Sequence, residues 1–225
     1  MKHLLLRILN KLLKKMGRGR RSTLSATDHN SIENVNSLNA SKEYWEKAKA
    51  SDAAFINSIY EDLLALAKIE DNLQIADVGC GTGVLVDKLR KQFPNSQIQG
   101  FDFSEAKIEQ CRMHFDYERE AFSVHDIYNP LSKKRDILIA TEVLEHLEQP
   151  GIALRNLISG LNPSGRIFLT VPNGREDTFF GHINFWSPES WPLFLERENN
   201  DLVKIKTGLL NGKNYAVITK ERKAE

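Results

Sequence analysis

The sequence predicts a doubly wound, mainly parallel α/β sheet that ends in an antiparallel hairpin. Three observations carry this. From residue 75 onward, short apolar runs alternate with segments of helical spacing, the pattern of parallel strands joined by crossover helices. Residues 136–140, Asp-Ile-Leu-Ile-Ala, form a near-continuous apolar run, as a strand buried on both faces requires. Near the C-terminus, Asn211-Gly212 separates two β-prone runs, the signature of a tight hairpin.

The elements follow in order. Leu4, Leu5, Ile8, Leu9, Leu12, Leu13 and Met16 recur at helical spacing, with His3, Arg7, Lys11, Lys14 and Lys15 largely opposite. Residues 1–21 therefore read as a basic amphipathic helix closed by Gly17-Arg18-Gly19. Arg7 and Lys11 interrupt the apolar run too early for a secretory signal peptide. Such a helix can lie on a membrane surface, serve as an organelle transit peptide, or dock on a partner or on the domain itself. Residues 22–41, rich in Ser, Thr, Asn and Asp, read as a flexible linker. Ser41 can N-cap a helix beginning near Lys42. Ile56, Ile59, Tyr60, Leu63, Leu64 and Ala67 then carry helical structure to about Ile69, with Tyr44 and Trp45 as apolar anchors.

Residues 75–83, Ile-Ala-Asp-Val-Gly-Cys-Gly-Thr-Gly, are a buried strand running into a glycine-rich turn. The helix after it, at 84–93, points its positive N-terminal end at the same turn. A strand is expected at 97–101, a helix at 105–115, a short strand at 122–124 and a helix at 151–161. Asn162-Pro163-Ser164-Gly165 makes a turn into a strand at 166–171. Ser187-Pro188-Glu189 opens a helix at 187–196, and 202–207 with 215–220 form the hairpin. Residues 42–225 are thus one α/β domain. Trp186 and Trp191 read as core, and His3, His29, His114 and His125 as structural or solvated.

Composition narrows the function. A chain of 225 residues suits one well-buried α/β domain with an appendage. Cys80 and Cys111 make no disulfide framework and suit a reducing compartment. No apolar run approaches the length of a membrane span. The net charge of +1 conceals an asymmetry, because residues 1–27 hold eight of the 31 bases and no acid. The rest carries 23 bases against 30 acids, a net of −7. An acidic body suits a phosphate backbone poorly, so nucleic acid is not an expected partner; a small-molecule or glycan acceptor is. The expected location is the cytoplasm, with peripheral contact at the inner membrane face through residues 1–16.

The chemistry starts at the glycine turn. Gly79, Gly81 and Gly83, at every second position, let a ligand approach the backbone closely. Asp77 is placed to organise that turn or to accept from a ligand ammonium. The dinucleotide fingerprint G-x-G-x-x-G fails in both registers, since its last position falls on Val84 or Val86. In a doubly wound sheet, ligands sit beyond the carboxyl ends of the strands. Asp102 falls there and can accept from both hydroxyls of a ribose. Asp126 can accept from an adenine amine, with Ile127 on the ring. Thr141-Glu142 follows the next strand. Any one of these acids alone reads as an ordinary solvated loop residue.

Taken together and in order, these segments resemble the class I S-adenosylmethionine (SAM) methyltransferases, over about residues 42–220. The resemblance extends to Glu142-Val143-Leu144-Glu145-His146-Leu147, Pro163-Ser164-Gly165, Val171-Pro172-Asn173 and Gly181-His182-Ile183-Asn184-Phe185-Trp186-Ser187-Pro188-Glu189. These are similar to a bacterial subgroup whose members methylate glycans, quinones or other metabolites. The resemblance implies a Rossmann-like methyltransferase fold with SAM as cofactor. Asp77, Gly79, Cys80, Gly81 and Gly83 would wrap its methionine part. Asp102 with Phe103 would hold the ribose, Asp126 with Ile127 the adenine, and Thr141 and Glu142 would complete the site. Ser164 departs from the usual glycine, which is expected to affect only the turn.

Two uses compete for the Glu142 segment. Glu142, Glu145 and His146, spaced i, i+3, i+4, would share one face of a helical turn, and two carboxylates with an imidazole can bind Mg²⁺ or Mn²⁺. Similar Glu-x-x-Glu-His segments are metal ligands in ubiquinone-pathway O-methyltransferases. In small-RNA 2′-O-methyltransferases a further histidine joins them, at a place resembling His182. Acids in a helix's first turn also favour its dipole without any metal. Alternatively, His146 or His182 takes the proton of a hydroxyl acceptor as a metal-free base. The expectation is SAM-dependent methyl transfer to an oxygen of a small molecule, quinone or glycan. The alternatives are a metal-assisted RNA 2′-O-methyltransferase and a catalytically inactive SAM-binding regulatory or scaffold protein.

Overall fold

A computed structural model of the chain describes residues 30–199 and 203–221. The expected amphipathic helix at 1–21 lies outside the described residues, as does the linker up to residue 29.

The remaining linker is not a linker. Helix α1 (Ile32–Asn39) starts at Ser31, whose hydroxyl accepts from the Asn34 amide at 3.4 Å. The polar residues that suggested a flexible segment are the hydrogen-bonding groups of a docked helix. Asn36 Oδ1 accepts from Ser104 Oγ at 2.6 Å and from the Ala106 amide at 3.2 Å, and Asn39 is buried. Tertiary contacts override composition here. Helix α2 (Lys42–Ala67) begins at the expected N-cap, Ser41. It buries Trp45, Ile56, Ile59, Tyr60, Leu63 and Ala67, the stripe read from the sequence extended back to Trp45.

The sheet comprises β1 (Gln74–Val78), β2 (Gln97–Asp102), β3 (Phe122–Val124), β4 (Arg135–Thr141), β5 (Leu161–Pro172), β6 (Val203–Leu210) and β7 (Lys213–Lys220). Helices α3 (Val84–Gln92), α4 (Glu105–His114) and α5 (Pro150–Ser159) connect the parallel strands, and α6 (Ser190–Glu198) precedes β6. The strand order is β3-β2-β1-β4-β5-β7-β6. Strands β1 to β5 pair in parallel, and β7 runs antiparallel to both β5 and β6. The doubly wound fold with a terminal hairpin is therefore observed.

Alternation along each strand feeds two cores. Ile75, Ile98, Ile137 and Phe168 face α2 and α3, while Ala76, Leu138, Leu169 and Ala216 face α5 and α6. Trp186 and Trp191 are buried in the second core, as read. Asn211 and Gly212 both have positive φ, the backbone that matches hairpin twist. One boundary differs. Strand β5 begins at Leu161, and the pairing with β4 jumps from Arg135–Leu161 to Ile137–Arg166. The Asn162–Gly165 turn is thus a bulge inside β5, with Ser164 at φ 66°.

Candidate functional site

The order of strands reverses beside β1, between α-crossovers to β2 and to β4, which is the place a doubly wound sheet keeps for ligands. A cavity of about 360 Å³ opens there. The turn after β1 supplies Gly79, Cys80 and Gly81, the end of β4 supplies Thr141 with Glu142 just after it, and Asp77 of β1 also lines the cavity. The turn is clamped to β2, since Gly79 and Cys80 amides both donate to the Phe101 carbonyl, at 2.7 and 2.9 Å. Gly79 sits at φ 83°, and a Cβ there would collide with the Val143 side chain. Gly81, at φ 54°, leaves room only up to Asp52, whose Oδ2 lies 3.2 Å from where a Cβ would stand. Gly83 opens α3.

Charged groups crowd this cavity. Asp77 is 2% exposed, and its Oδ1 has no hydrogen-bond partner. Burial, reinforced by the Asp102 and Asp52 charges, pushes its carboxyl up to about 8. Asp102 is buried with its oxygens turned to backbone amides: Gly81 N donates to Oδ2 and Ser104 N to Oδ1, both at 3.0 Å. Lys107, from α4, reaches Asp102 Oδ2 at 3.5 Å. Burial opposes the Lys107 charge, but Asp102 and Asp52 outweigh it and hold the ammonium above its ordinary value.

The cavity walls do not include Asp102, Phe103, Asp126 or Ile127. Asp126 is exposed after β3, where its Oδ1 accepts from the Tyr128 amide at 2.9 Å. Ile127 packs into the second core, and Phe103 is half-buried just past β2. Sequence reasoning missed Asp52, Phe55, Lys107 and Lys213, all of which line the cavity. Asp52 accepts at Oδ2 from Thr82 Oγ1 at 2.6 Å and from Thr82 N at 3.3 Å, tying α2 to the glycine turn. A signal for it existed: residue 52 stands seven positions from both Trp45 and Ile59. An acid on that buried face needs a reason.

The Glu142 segment departs from expectation. Glu142 has φ 56°, and only Leu144–His146 makes a single 3₁₀ turn, so no helical face carries Glu142, Glu145 and His146 together. Glu142 instead faces the cavity. Its Oε1 accepts from Thr170 Oγ1 at 3.0 Å, and its Oε2 pairs with the Lys213 ammonium. The Lys213 Nζ lies 5.3 Å from the centre of the Phe55 ring.

Glu145, His146 and His182 do come together, with one potential ligand atom from each within 4.8 Å of the others. Glu145 is fully buried, and neither carboxylate oxygen has a hydrogen-bond partner. Burial first, then the Glu142 charge, pushes its carboxyl well above the ordinary range. His182 Nε2 lies 3.9 Å from Glu145 Oε1, while its Nδ1 lies 2.5 Å from Asp177 Oδ2. His146 Nδ1 is 3.1 Å from the Gly181 carbonyl, which fixes that ring. Phe179 packs edge-on against both imidazoles. Ile183 and Asn184 amides donate to the Glu145 carbonyl, at 2.9 and 3.1 Å, and hold the His182 loop in place. Asp177 belongs to no motif, and no sequence signal marked it.

Comparison with known proteins identifies the family and the fold. A family model described as a methyltransferase domain matches residues 44–204. Trans-aconitate 2-methyltransferase of Variovorax paradoxus is 26% identical over 52% of this chain and 45% of its own length. Malonyl-[acyl-carrier protein] O-methyltransferase of Hahella chejuensis is 28% identical over 53% of this chain and 43% of its own. The chain thus spans under half the length of these curated relatives. Among solved structures, an N-methyltransferase of Bradyrhizobium japonicum WM9 in complex with S-adenosyl-L-homocysteine (SAH) superposes with TM-score 0.64. It is 17% identical, over 86% of this chain and 100% of that one, so the likeness is one of fold.

Proposed function

The chain belongs to the methyltransferase-domain family, the class I SAM-dependent methyltransferases, and from that premise we propose that it methylates an oxygen of a small molecule, quinone or glycan. The observation that carries this reading is the cavity at the glycine turn, whose wall residue Glu142 is only three positions from Glu145 in the histidine cluster. SAM, when bound, supplies a methyl group activated on a sulfonium. Asp77 and Glu142, which line the cavity with Asp52, would meet its ammonium. Gly81 and Lys107 occupy Asp102 Oδ2 and Ser104 takes one site on Oδ1, so Asp102 would offer one remaining acceptor site, on Oδ1, to a ribose hydroxyl. Asp126, with Ile127, is assigned to the adenine edge.

The protein's part in such a transfer is alignment, exclusion of water and removal of one proton. His182 suits the last. Asp177, 2.5 Å from Nδ1, would hold a proton there, which would leave the Nε2 lone pair to take one from an acceptor hydroxyl. His146 packs beside it at 4.6 Å between ring centres. A second reading is favoured by one observation, the buried Glu145 carboxyl with no hydrogen-bond partner. Glu145, His146 and His182 offer the oxygen and nitrogen donors that Mg²⁺ or Mn²⁺ would use, and the ion would supply Lewis acidity to an acceptor oxygen. Glu142 is not part of that set.

The test is calorimetry of the full chain with SAM and SAH, followed by metabolite and glycan profiling of a deletion strain for species lighter by one methyl. Absence of any SAM or SAH binding sinks the reading. Binding without any such species favours a regulatory or scaffold role. For the metal, Mn²⁺ titration followed by electron paramagnetic resonance should show a bound signal that Glu145→Gln removes. No bound signal leaves His182 as a metal-free base.

A further inference from the structure

Two lysines line the cavity, and they differ. Lys107 is committed, with Asp102 at 3.5 Å and the Asp52 charge beside it. Lys213 has one carboxylate partner, Glu142, and lies over the face of Phe55. It opens β7 opposite Pro172 of β5, so it stands on the far side of β4 from the Asp102 and Asp126 strands. Its charge also reaches Glu145, where it opposes the upward push of burial and of Glu142. Lys213 therefore stands in the wall of the cavity that holds the glycine turn, paired with Glu142.

Glu142 is held there at some expense. A non-glycine residue at φ 56° is strained, and strain of this kind persists where the surroundings fix it. Thr170, 1% exposed, secures one carboxylate oxygen, which leaves the other for an exchangeable cation. An ammonium arriving at Glu142 would free Lys213 to take an anion without leaving either charge unpaired.

We propose that Lys213 is the carboxylate-binding residue of this cavity, released from Glu142 when a cofactor ammonium arrives there. The inference rests on the SAM reading above. The carboxylate has two sources, the amino-acid end of the cofactor itself or an acidic acceptor.

The experiment uses the full chain, its Lys213→Met variant and its Lys213→Arg variant, with melting temperature as the check on folding. Wild-type chain that binds neither SAH nor 5′-methylthioadenosine defeats the SAM reading, not this inference. In the first arm, both compounds are titrated by calorimetry; the second lacks the amino-acid end. If Lys213 holds the cofactor carboxylate, Lys213→Met weakens SAH tenfold or more and leaves methylthioadenosine unchanged. In the second arm, SAH-saturated chain is titrated with malonate and with its uncharged dimethyl ester. If the carboxylate belongs to the acceptor, SAH affinity is unchanged, malonate binds but its ester does not, and Lys213→Met abolishes malonate binding. Lys213→Arg should restore whichever effect is seen. The proposal is overturned if Lys213→Met changes neither arm, or if it weakens SAH and methylthioadenosine equally.

Discussion

Asp77 is the residue on which the cavity's electrostatics turn. Its carboxyl is pushed up to about 8, by burial first and then by Asp102 and Asp52. A folded-state value above the ordinary 3.8 means that the folded chain keeps a proton the unfolded chain gives up. Asp77 thus favours the fold fully below about pH 4, and that contribution fades as pH rises to about 8. A ligand ammonium reverses the preference, because it is best met by the ionised carboxylate. SAH binding to the ligand-free protein should therefore release a proton below pH 8, and affinity should rise with pH by up to about tenfold per unit between pH 6 and 8. Calorimetry in buffers of different ionisation enthalpy measures that proton directly. Asp77→Asn should lose the release and flatten the pH dependence; release that survives in the variant rejects Asp77 as the group. Asp77 was legible because it closes a strand into three glycines. Asp52 left a signal as an acid in register with Trp45 and Ile59, but its partner Thr82, 30 positions away, did not; Asp177 was not legible, because its role depends on His182 in a loop with no periodicity.

At the scale of elements, the strands and crossover helices were legible because each has its own period. Strand β3 is the expected 122–124, and α2 starts at its expected cap. What failed was decided by partners. Helix α1 is polar in sequence because its Asn36 serves Ser104 and Ala106 on α4. The Glu142–His146 segment carries helical spacing without a helix, because the Glu142 backbone is left-handed and its amide is taken by the Thr170 carbonyl at 2.9 Å. The bulge in β5 offers a clean test of local strain. Ser164 holds φ 66°, a conformation that costs an L-residue about 1–2 kcal/mol. Glycine removes that cost but adds about 0.5–1 kcal/mol of backbone entropy to folding. Ser164→Gly should then stabilise by up to about 1.5 kcal/mol, read as a higher denaturation midpoint at unchanged slope. SAH affinity should not change, since the bulge lies beside Arg135 and Asp136, at the opposite end of the strands from the glycine turn. A lower midpoint would show that the Ser164 side chain contributes more than its backbone costs.

Over the whole molecule, charge is divided between arm and body. Residues 1–27 carry eight bases and no acid, whereas the rest is net −7. Among the described residues no helix is long and apolar enough to cross a membrane. Residues 1–16 have the composition of a surface-lying segment, with seven apolar residues at helical spacing and five bases, Lys2, Arg7, Lys11, Lys14 and Lys15. Each base near an anionic surface contributes on the order of 1 kcal/mol, and the apolar stripe adds burial in the headgroup boundary. We propose that this arm brings the acidic catalytic body to a membrane that would otherwise repel it, where a lipid-linked glycan or quinone acceptor would be met. The described fold leaves less slack than a linker of 22–41 would give, because Asn30 is already pinned: its Nδ2 donates to the Gly181 carbonyl at 2.7 Å and the His146 carbonyl at 3.3 Å. The described body therefore begins beside the histidine cluster. Liposome flotation of the full chain and of a chain lacking residues 1–21, at low and high salt, tests the membrane role. The full chain should float with anionic vesicles at low salt and less at high salt, because screening shortens the reach of the bases. Equal recovery of both chains in the soluble fraction at low salt refutes the membrane role and favours an arm docked on protein.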